Sequence, residues 1–362
     1  MNKNKTLWQK IKAWPLLLPI VCLLLVMAVN IIYDASLGNN PFSFFKITLQ
    51  TTTSNGTILY GRIIDILNRG SEAAILALGM TLVVSSSAGT DISVGSVMSL
   101  SASVCCMLLA GYGVTSTSEL AVPLVVGLLG ALVVGSLCGA FNGFLVAHLK
   151  IQPMVATLIL FTAARAIGLL VCNDMIVYVR NDSYGFFGSF LGPIPTPIII
   201  TAICIAVLSI ALNKTALGTY IQSVGINSKA SRIAGLNSKT IIFLTYVLCG
   251  FFAAVAGIMQ SSRITSADSN NIGLYMELDA ILAVALGGNS LGGGKFNLAG
   301  SIIGAYTIQA ITTTLYALGV STSQAPVYKA VIVIIIVAIQ APPIQAYVRK
   351  KAAAKNAVKE VA

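Results

Sequence analysis

The side chains of this chain that could do chemistry gather at two glycine-rich breaks in otherwise apolar sequence. The first, Ala88-Gly89-Thr90-Asp91-Ile92-Ser93-Val94-Gly95, sets a carboxylate and hydroxyls between two apolar runs. Asp91 or Ser93 can cap the next helix by accepting from its free N–H groups. Inside a membrane, Asp91 could instead offer acceptors to the hydroxyls of a passing solute, since an ionisable group at such depth is a candidate for function. The second break, Gly287-Gly288-Asn289-Ser290-Leu291-Gly292-Gly293-Gly294, has the glycine content of a phosphate loop. Such a loop needs G-x-x-x-x-G-K-[ST]; here Gly294-Lys295 is followed by Phe296, position 289 is Asn, and no hydroxyl is placed for magnesium. A gating or close-packing turn is the better reading. Asp91, Ser93, Asn142, Thr157, Asn289 and Ser290 are taken together as the candidate lining of a solute path.

Catalytic constellations are missing from the sequence. His148 is the single histidine, beside Lys150, and neither a Ser-His-Asp set nor HExxH occurs. The seven cysteines all lie in apolar stretches and form no CxxC pair, so they read as small core hydrophobes rather than metal ligands. Neither an enzyme nor a cofactor is implied. Arg165 falls inside an apolar run; it can snorkel, pair with an acid, or face the path.

These residues must be positioned by apolar elements. Of 362 residues, 56% are hydrophobic and 9% are charged, whereas soluble domains carry about 25% charged residues. That excludes an ordinary soluble enzyme. About 200 apolar residues, at roughly 20 per crossing, allow up to ten spans: about 15–33, 72–88, 95–112, 121–146, 153–172, 196–212, 240–260, 277–291, 298–318 and 327–343. Residues 34–61 read as a polar outside loop, 62–71 as a short amphipathic helix at the interface, 173–195 as a second outside loop, and 261–274 as a third.

The net charge of +11 would suggest nucleic acid in a soluble chain. In a membrane chain it reports basic residues held in the cytoplasm. With residues 1–14 inside and ten spans, the inside collects Lys3, Lys5, Lys10, Lys12, Lys150, Lys214, Lys229, Arg232, Lys239, Lys295 and the five basic residues of the tail. The outside receives Lys46, Arg62, Arg69, Arg180, Arg263 and Lys329. The bias favours this orientation, and no nucleic-acid partner is expected. The organisation is therefore a cytoplasmic segment 1–14, a transmembrane domain 15–343 and a basic cytoplasmic tail 344–362. Inside the domain, the polar, basic, helix-capable stretch 213–239 suits insertion into a cleft of a soluble partner. Gly135-x-x-x-Gly139-x-x-x-Gly143 and Gly300-x-x-x-Gly304 read as close-packing faces. The two glycine-rich breaks echo each other weakly, as in a pore built from two halves.

Three stretches together resemble the permease subunits of ABC importers for sugars, of the ribose and galactofuranose type. In RIIDILNRGSEAAILALGMTLVVSSSAGTDISVGSVMSLS, Gly79, Met80, Thr81, Gly89, Asp91, Ser93 and Gly95 match a family signature, while Ala88 stands for a usual Gly and Thr90 for a usual Ile. SVGINSKASRIAGLN is similar to the family's coupling segment through Gly225, Asn227, Ala230, Arg232 and Gly235; Thr219 stands where an Arg usually follows Gly218. YMELDAILAVALGGNSLGGGKFNLAGSIIGA is similar to a third signature. The resemblance covers roughly residues 60–340. It implies an all-α polytopic bundle of about ten helices in a type II-like importer, and a monosaccharide as cargo. The implied partners are two cytoplasmic ABC ATPases, an extracytoplasmic sugar-binding protein and a second permease, identical or not, in the lipid bilayer of a bacterial cytoplasmic membrane. The rivals are an ion-driven carrier using Asp91, Glu277 or Asp279, and the same architecture carrying amino acids, nucleosides or an autoinducer sugar.

Overall fold

The computed structural model describes residues 16–36, 38, 40–52 and 56–340. The expected cytoplasmic segment 1–14 and basic tail 344–362 lie outside the described residues. Ten apolar helices follow the ten expected spans: α1 (Leu17–Ser36), α2 (Arg62–Ser87), α3 (Val94–Ala110), α4 (Leu124–Ala147), α5 (Pro153–Val171), α7 (Thr196–Lys214), α10 (Ser238–Ile264), α11 (Met276–Leu286), α12 (Leu298–Ala317) and α13 (Ala325–Gln340). The short α6 (Asp182–Gly185), α8 (Leu217–Ile226) and α9 (Ser228–Ile233) lie in connections. Seven of the ten are long and apolar enough to cross a membrane: α1, α2, α4, α5, α7, α10 and α12. Two compact units divide the chain, to Ala310 and from Ile311; within its described residues the second holds the end of α12 and α13.

In the first unit α2 is the central helix. Its apolar window is 94% buried, against 28% for α4, α5 and α7, so α2 meets protein while those three turn a face outward. On α4 the exposed face runs Val126, Leu129, Val133, Leu137, Phe141 and Phe144. That three-to-four spacing is one helical stripe, suited to lipid. The opposite stripe carries the expected glycines. A Cβ at Gly135 would stand 2.6 Å from the Gly250 carbonyl oxygen, one at Gly139 would collide with the Tyr246 carbonyl, and one at Gly143 would crowd Phe243, all on α10. Likewise Gly300 and Gly304 of α12 lie on Gly287 and Ala283. These glycines let backbones approach without side chains between them.

Two expectations are corrected. The interfacial helix 62–71 and the span after it are one helix of 26 residues, α2. Its polar first turns are neutralised by ion pairs, Arg62 to Asp34 of α1 at 3.0 Å and Arg69 to Asp65 at 2.9 Å. Within it, Gly70 leaves room for the Tyr306 ring. The expected outside loop 261–274 is also not a free loop. Ile264 ends α10, and Ser266, Ala267, Ser269 and Ile272 are buried. The segment runs along α3: Ser99 donates to the Ser269 carbonyl at 2.8 Å, and a Cβ at Gly273 would collide with the Gly95 carbonyl. Non-helical backbone at such depth survives only where protein satisfies it. Arg165 does so, donating to the carbonyls of Ser269, Asn270 and Ile272 at 2.6, 3.0 and 3.2 Å. Gln260 accepts from the Gly273 N–H at 2.9 Å.

Short strands tie the connections at the end of the unit where α2 begins. β1 (Thr48–Thr52) and β2 (Gly56–Tyr60) pair antiparallel, with Thr48 opposite Tyr60. β3 (Ser116–Thr117), β4 (Val177–Val179) and β7 (Ser266–Ala267) form a second sheet, and β5 (Phe190–Leu191) pairs with β6 (Ile194–Pro195). All seven cysteines are free and five are buried, as small apolar side chains would be. His148 stacks on Phe144 and meets Phe243 edge-on.

The α4–α10 crossing gives a direct test. Gly139→Leu should lower stability by about 1–3 kcal/mol, the usual cost of overpacking, read as a lower melting temperature of the purified protein in detergent. Gly185→Ala, which meets open space, should leave the melting temperature unchanged.

Candidate functional site

The turns joining α2 to α3, α4 to α5 and α11 to α12, together with the connection holding α8 and α9, lie at the other end of the first unit. Four of the six expected path residues meet there. The buried Asp91 carboxylate accepts from the Ser93 N–H at 2.9 Å and the Ser93 hydroxyl at 2.6 Å. Asn142 of α4 donates to Ser93 Oγ at 2.9 Å, with a longer contact of 3.5 Å to Asp91. Thr157 of α5 accepts from the Ile92 N–H at 3.2 Å and donates to the Pro153 carbonyl at 3.0 Å. Ser93 occupies the cap position of α3 but makes no cap bond; its hydroxyl turns to Asp91 instead. The cluster pins the break to two neighbouring helices. Asn142 Oδ1 alone is left buried with no partner, an acceptor without a donor.

Asn289 and Ser290 do not join this cluster. Asn289 donates to Ser301 Oγ at 2.8 Å and to the Val284 carbonyl at 3.1 Å, and accepts from the Asn297 N–H at 2.5 Å. Ser301 in turn accepts from Thr81 of α2 at 2.7 Å. Asn289 thus closes the turn after α11 onto α2. Ser290 is exposed and accepts from the Gly292 N–H.

The two glycine-rich turns touch. Gly293 packs on Ala88, and the Gly294 N–H donates to the Ser85 carbonyl at 2.9 Å. Gly293 and Gly294 have φ of +85° and +96°, which a side chain would oppose. Ala88 also has a positive φ, +53°, at the C-cap of α2, where glycine is the usual residue. Onto this junction sits α8. A Cβ at Gly225 would collide with the Ser85 carbonyl and stand 2.7 Å from the Gly294 nitrogen. Gly225 is therefore the point where the basic connection touches both breaks at once.

The remaining expected coupling residues face outward. Asn227 caps α9, accepting from the N–H groups of Lys229 and Ala230 at 3.1 and 3.0 Å. Gly235, φ +86°, turns the chain after α9, and Ser238 donates to the Ser228 carbonyl at 3.0 Å. Ala230 and Arg232 are exposed. So are two large apolar side chains that the sequence reading did not single out, Ile226 at 65% and Ile233 at 89%. They stand in the same short connection as Lys229 and Arg232. Spacing alone does not reveal them, because apolar residues in a short helix read as buried.

Helix number, apolar periphery and an exposed polar connection define a polytopic membrane-helix bundle. Residues 62–340 match the family described as "Branched-chain amino acid transport system / permease component". The chain is 43% identical over 330 residues to the galactofuranose transporter permease protein YtfT of Escherichia coli, covering 90% of each. It is 38% identical over 317 residues to the fructose import permease protein FruF of Bifidobacterium longum, covering 85% of this chain and 86% of that one. It is 35% identical over 297 residues to the ribose import permease protein RbsC of Escherichia coli, covering 80% and 89%. The chain belongs to this family of ABC-importer permease subunits.

The break can be tested by stability. Asp91→Ala leaves the Ser93 N–H and hydroxyl donors buried without their acceptor and should cost about 1–3 kcal/mol. Ala88→Gly relieves a left-handed backbone that costs about 1–2 kcal/mol for a side-chain-bearing residue and should raise the melting temperature. Thermal unfolding in detergent checks both.

Proposed function

We propose that this permease carries a monosaccharide inward through the cytoplasmic membrane of a bacterial cell, driven by ATP hydrolysis on a separate partner chain. The sugar reading is supported by the three relatives, whose names specify galactofuranose, fructose and ribose. Two cytoplasmic ATPases, an extracytoplasmic sugar-binding protein and a second permease subunit complete the importer. Residues Asp91, Ser93, Asn142, Thr157, Asn289 and Ser290 flank the path at its cytoplasmic end. The termini are cytoplasmic. Support comes from charge: Lys150, Lys214, Lys229, Arg232, Lys239 and Lys295 crowd the junction end. The other end holds Lys46, Arg62, Arg69, Arg180 and Arg263, and the larger share of basic residues at the junction end favours its cytoplasmic placement.

The observation that carries the coupling mechanism is the seat of Gly225 between Ser85 and Gly294. The outer surface of α8 and α9, with Ile226, Ala230, Arg232 and Ile233, receives the ATPase. The inner surface presses on the ends of both glycine-rich turns. A rigid-body shift of α8 therefore acts on α2 and on the α11–α12 turn together, which is what a change between outward and inward access requires: a contact that differs in the two states. An amino-acid cargo is the second reading, favoured by the family's description.

Two substitutions separate docking from coupling. Ile233→Asp should abolish co-purification of the ATPase. Gly225→Val should keep the complex assembled and hydrolysing ATP while lowering uptake more than tenfold, because the added side chain holds α8 off the junction. Uptake of radiolabelled ribose, fructose and galactose into proteoliposomes of the complete importer, with leucine as the amino-acid control, decides the cargo.

A further inference from the structure

A cleft of about 670 Å³ opens at the end of the first unit opposite the coupling junction. Its size falls in the ~300–1,000 Å³ range of small-molecule sites. Asn68, Asp182, Phe186, Ser189, Phe190 and Arg263 line it. They come from α2, from the connection 172–195 and from the last turn of α10, elements far apart in sequence. Arg263 is fixed in place. It pairs with the buried Glu72 at 2.8 Å and donates to the carbonyl and the side-chain oxygen of Asn68 at 3.0 and 3.2 Å, so it grips α2 one turn apart. Gly188 rests directly on the Arg263 backbone, and Ser262 donates to the Tyr184 carbonyl at 2.6 Å, which holds the connection against α10. The Arg263 Nε is buried without a partner.

The lining says what would fit. The charge of Arg263 is already answered by Glu72, so an anion finds no spare cation and meets Asp182 instead. A cation meets Arg263. A neutral molecule bearing adjacent hydroxyls finds acceptors in Asp182 and Asn68, donor-acceptors in Ser189 and Asn68, and donor capacity in Arg263. Phe186 is 40% exposed and Phe190 also lines the cleft; aromatic faces suit the C–H face of a sugar ring.

We propose that this cleft is a receiving site for a neutral monosaccharide at the outer mouth of the permease, with Phe186, Ser189, Asp182 and Arg263 as its contacts. The proposal rests on the sugar reading above and adds the place where the cargo first touches this chain. The alternative occupant is a loop of the binding protein.

The test uses the complete importer in nanodiscs and proteoliposomes with D-ribose, D-fructose and D-galactose as probes. Saturation-transfer NMR without the binding protein should show transfer to at least one of these sugars, lost in Phe186→Ala and Ser189→Ala. Uptake of the transported sugar should fall at least tenfold in both variants and in Arg263→Lys, which keeps the pair with Glu72 but loses the fork to Asn68. Capture of the loaded binding protein and its stimulation of ATP hydrolysis should stay at wild-type levels. No transfer to any probe, or transfer that persists in both variants, overturns the site. Loss of binding-protein capture with sugar transfer intact also overturns it, and makes the cleft a protein-docking surface. Sugar transfer without uptake of any of these sugars by the wild type would sink the cargo reading while leaving the cleft in place.

Discussion

A carbonyl at the end of a helix, removed from water, must find a donor within the protein. At Ser85 that donor is the Gly294 N–H, 2.9 Å away and more than two hundred residues on in the chain. The bond can form only because positions 293 and 294 tolerate positive φ and because nothing larger than a hydrogen projects from Gly225 into the same space. One satisfied backbone group therefore fixes the relation of α2, the α11–α12 turn and α8. The polar clusters around Asp91 and Asn289 reinforce it from either side, one tying the break after α2 to α4 and α5, the other tying the turn after α11 back to α2.

The same constraint explains the charged residues held within the bundle. Arg165 supplies its guanidinium to three carbonyls of the segment after α10, where the chain leaves helical geometry yet stays buried. Arg263 and Glu72 neutralise one another. At these two positions charge is organised around backbone and opposite charge. A charged group in a low-dielectric medium is retained only when paired or hydrogen-bonded.

Packing follows from what lies between the helices. Within a bilayer, apolar surface gains little by leaving lipid for another helix, so close contact and backbone satisfaction must hold the bundle together. The α4–α10 crossing achieves contact through Gly135, Gly139 and Gly143, and α11–α12 through Gly300 and Gly304. The large side chains of α4 are turned the other way. The apolar faces that look like core in the sequence are therefore partly periphery, and the small residues that look weak are the centre.

What the sequence determined by itself was the number and order of the apolar helices, the two glycine-rich breaks, the close-packing glycines and the polar connection between α7 and α10. Each of these is a local property: hydrophobic length, backbone freedom at glycine, or charge along a short stretch. Asp91 and Ser93 were legible as candidates because they are polar residues set in apolar sequence, and Gly225 through the resemblance of its stretch to a coupling segment. Tertiary structure alone decided that Asn142 closes on Ser93 and Thr157 on Ile92, while Asn289 closes on Thr81 through Ser301. It also decided that Arg165 serves the chain beyond Ser269, that Arg263 faces Glu72 across two helices, and that Ile233 stands exposed. Those outcomes depend on which helix faces which. In a bundle whose helices are apolar nearly all round, facing is set by the summed fit of small residues and satisfied backbone groups across the whole packing, and no single stretch of sequence carries that information.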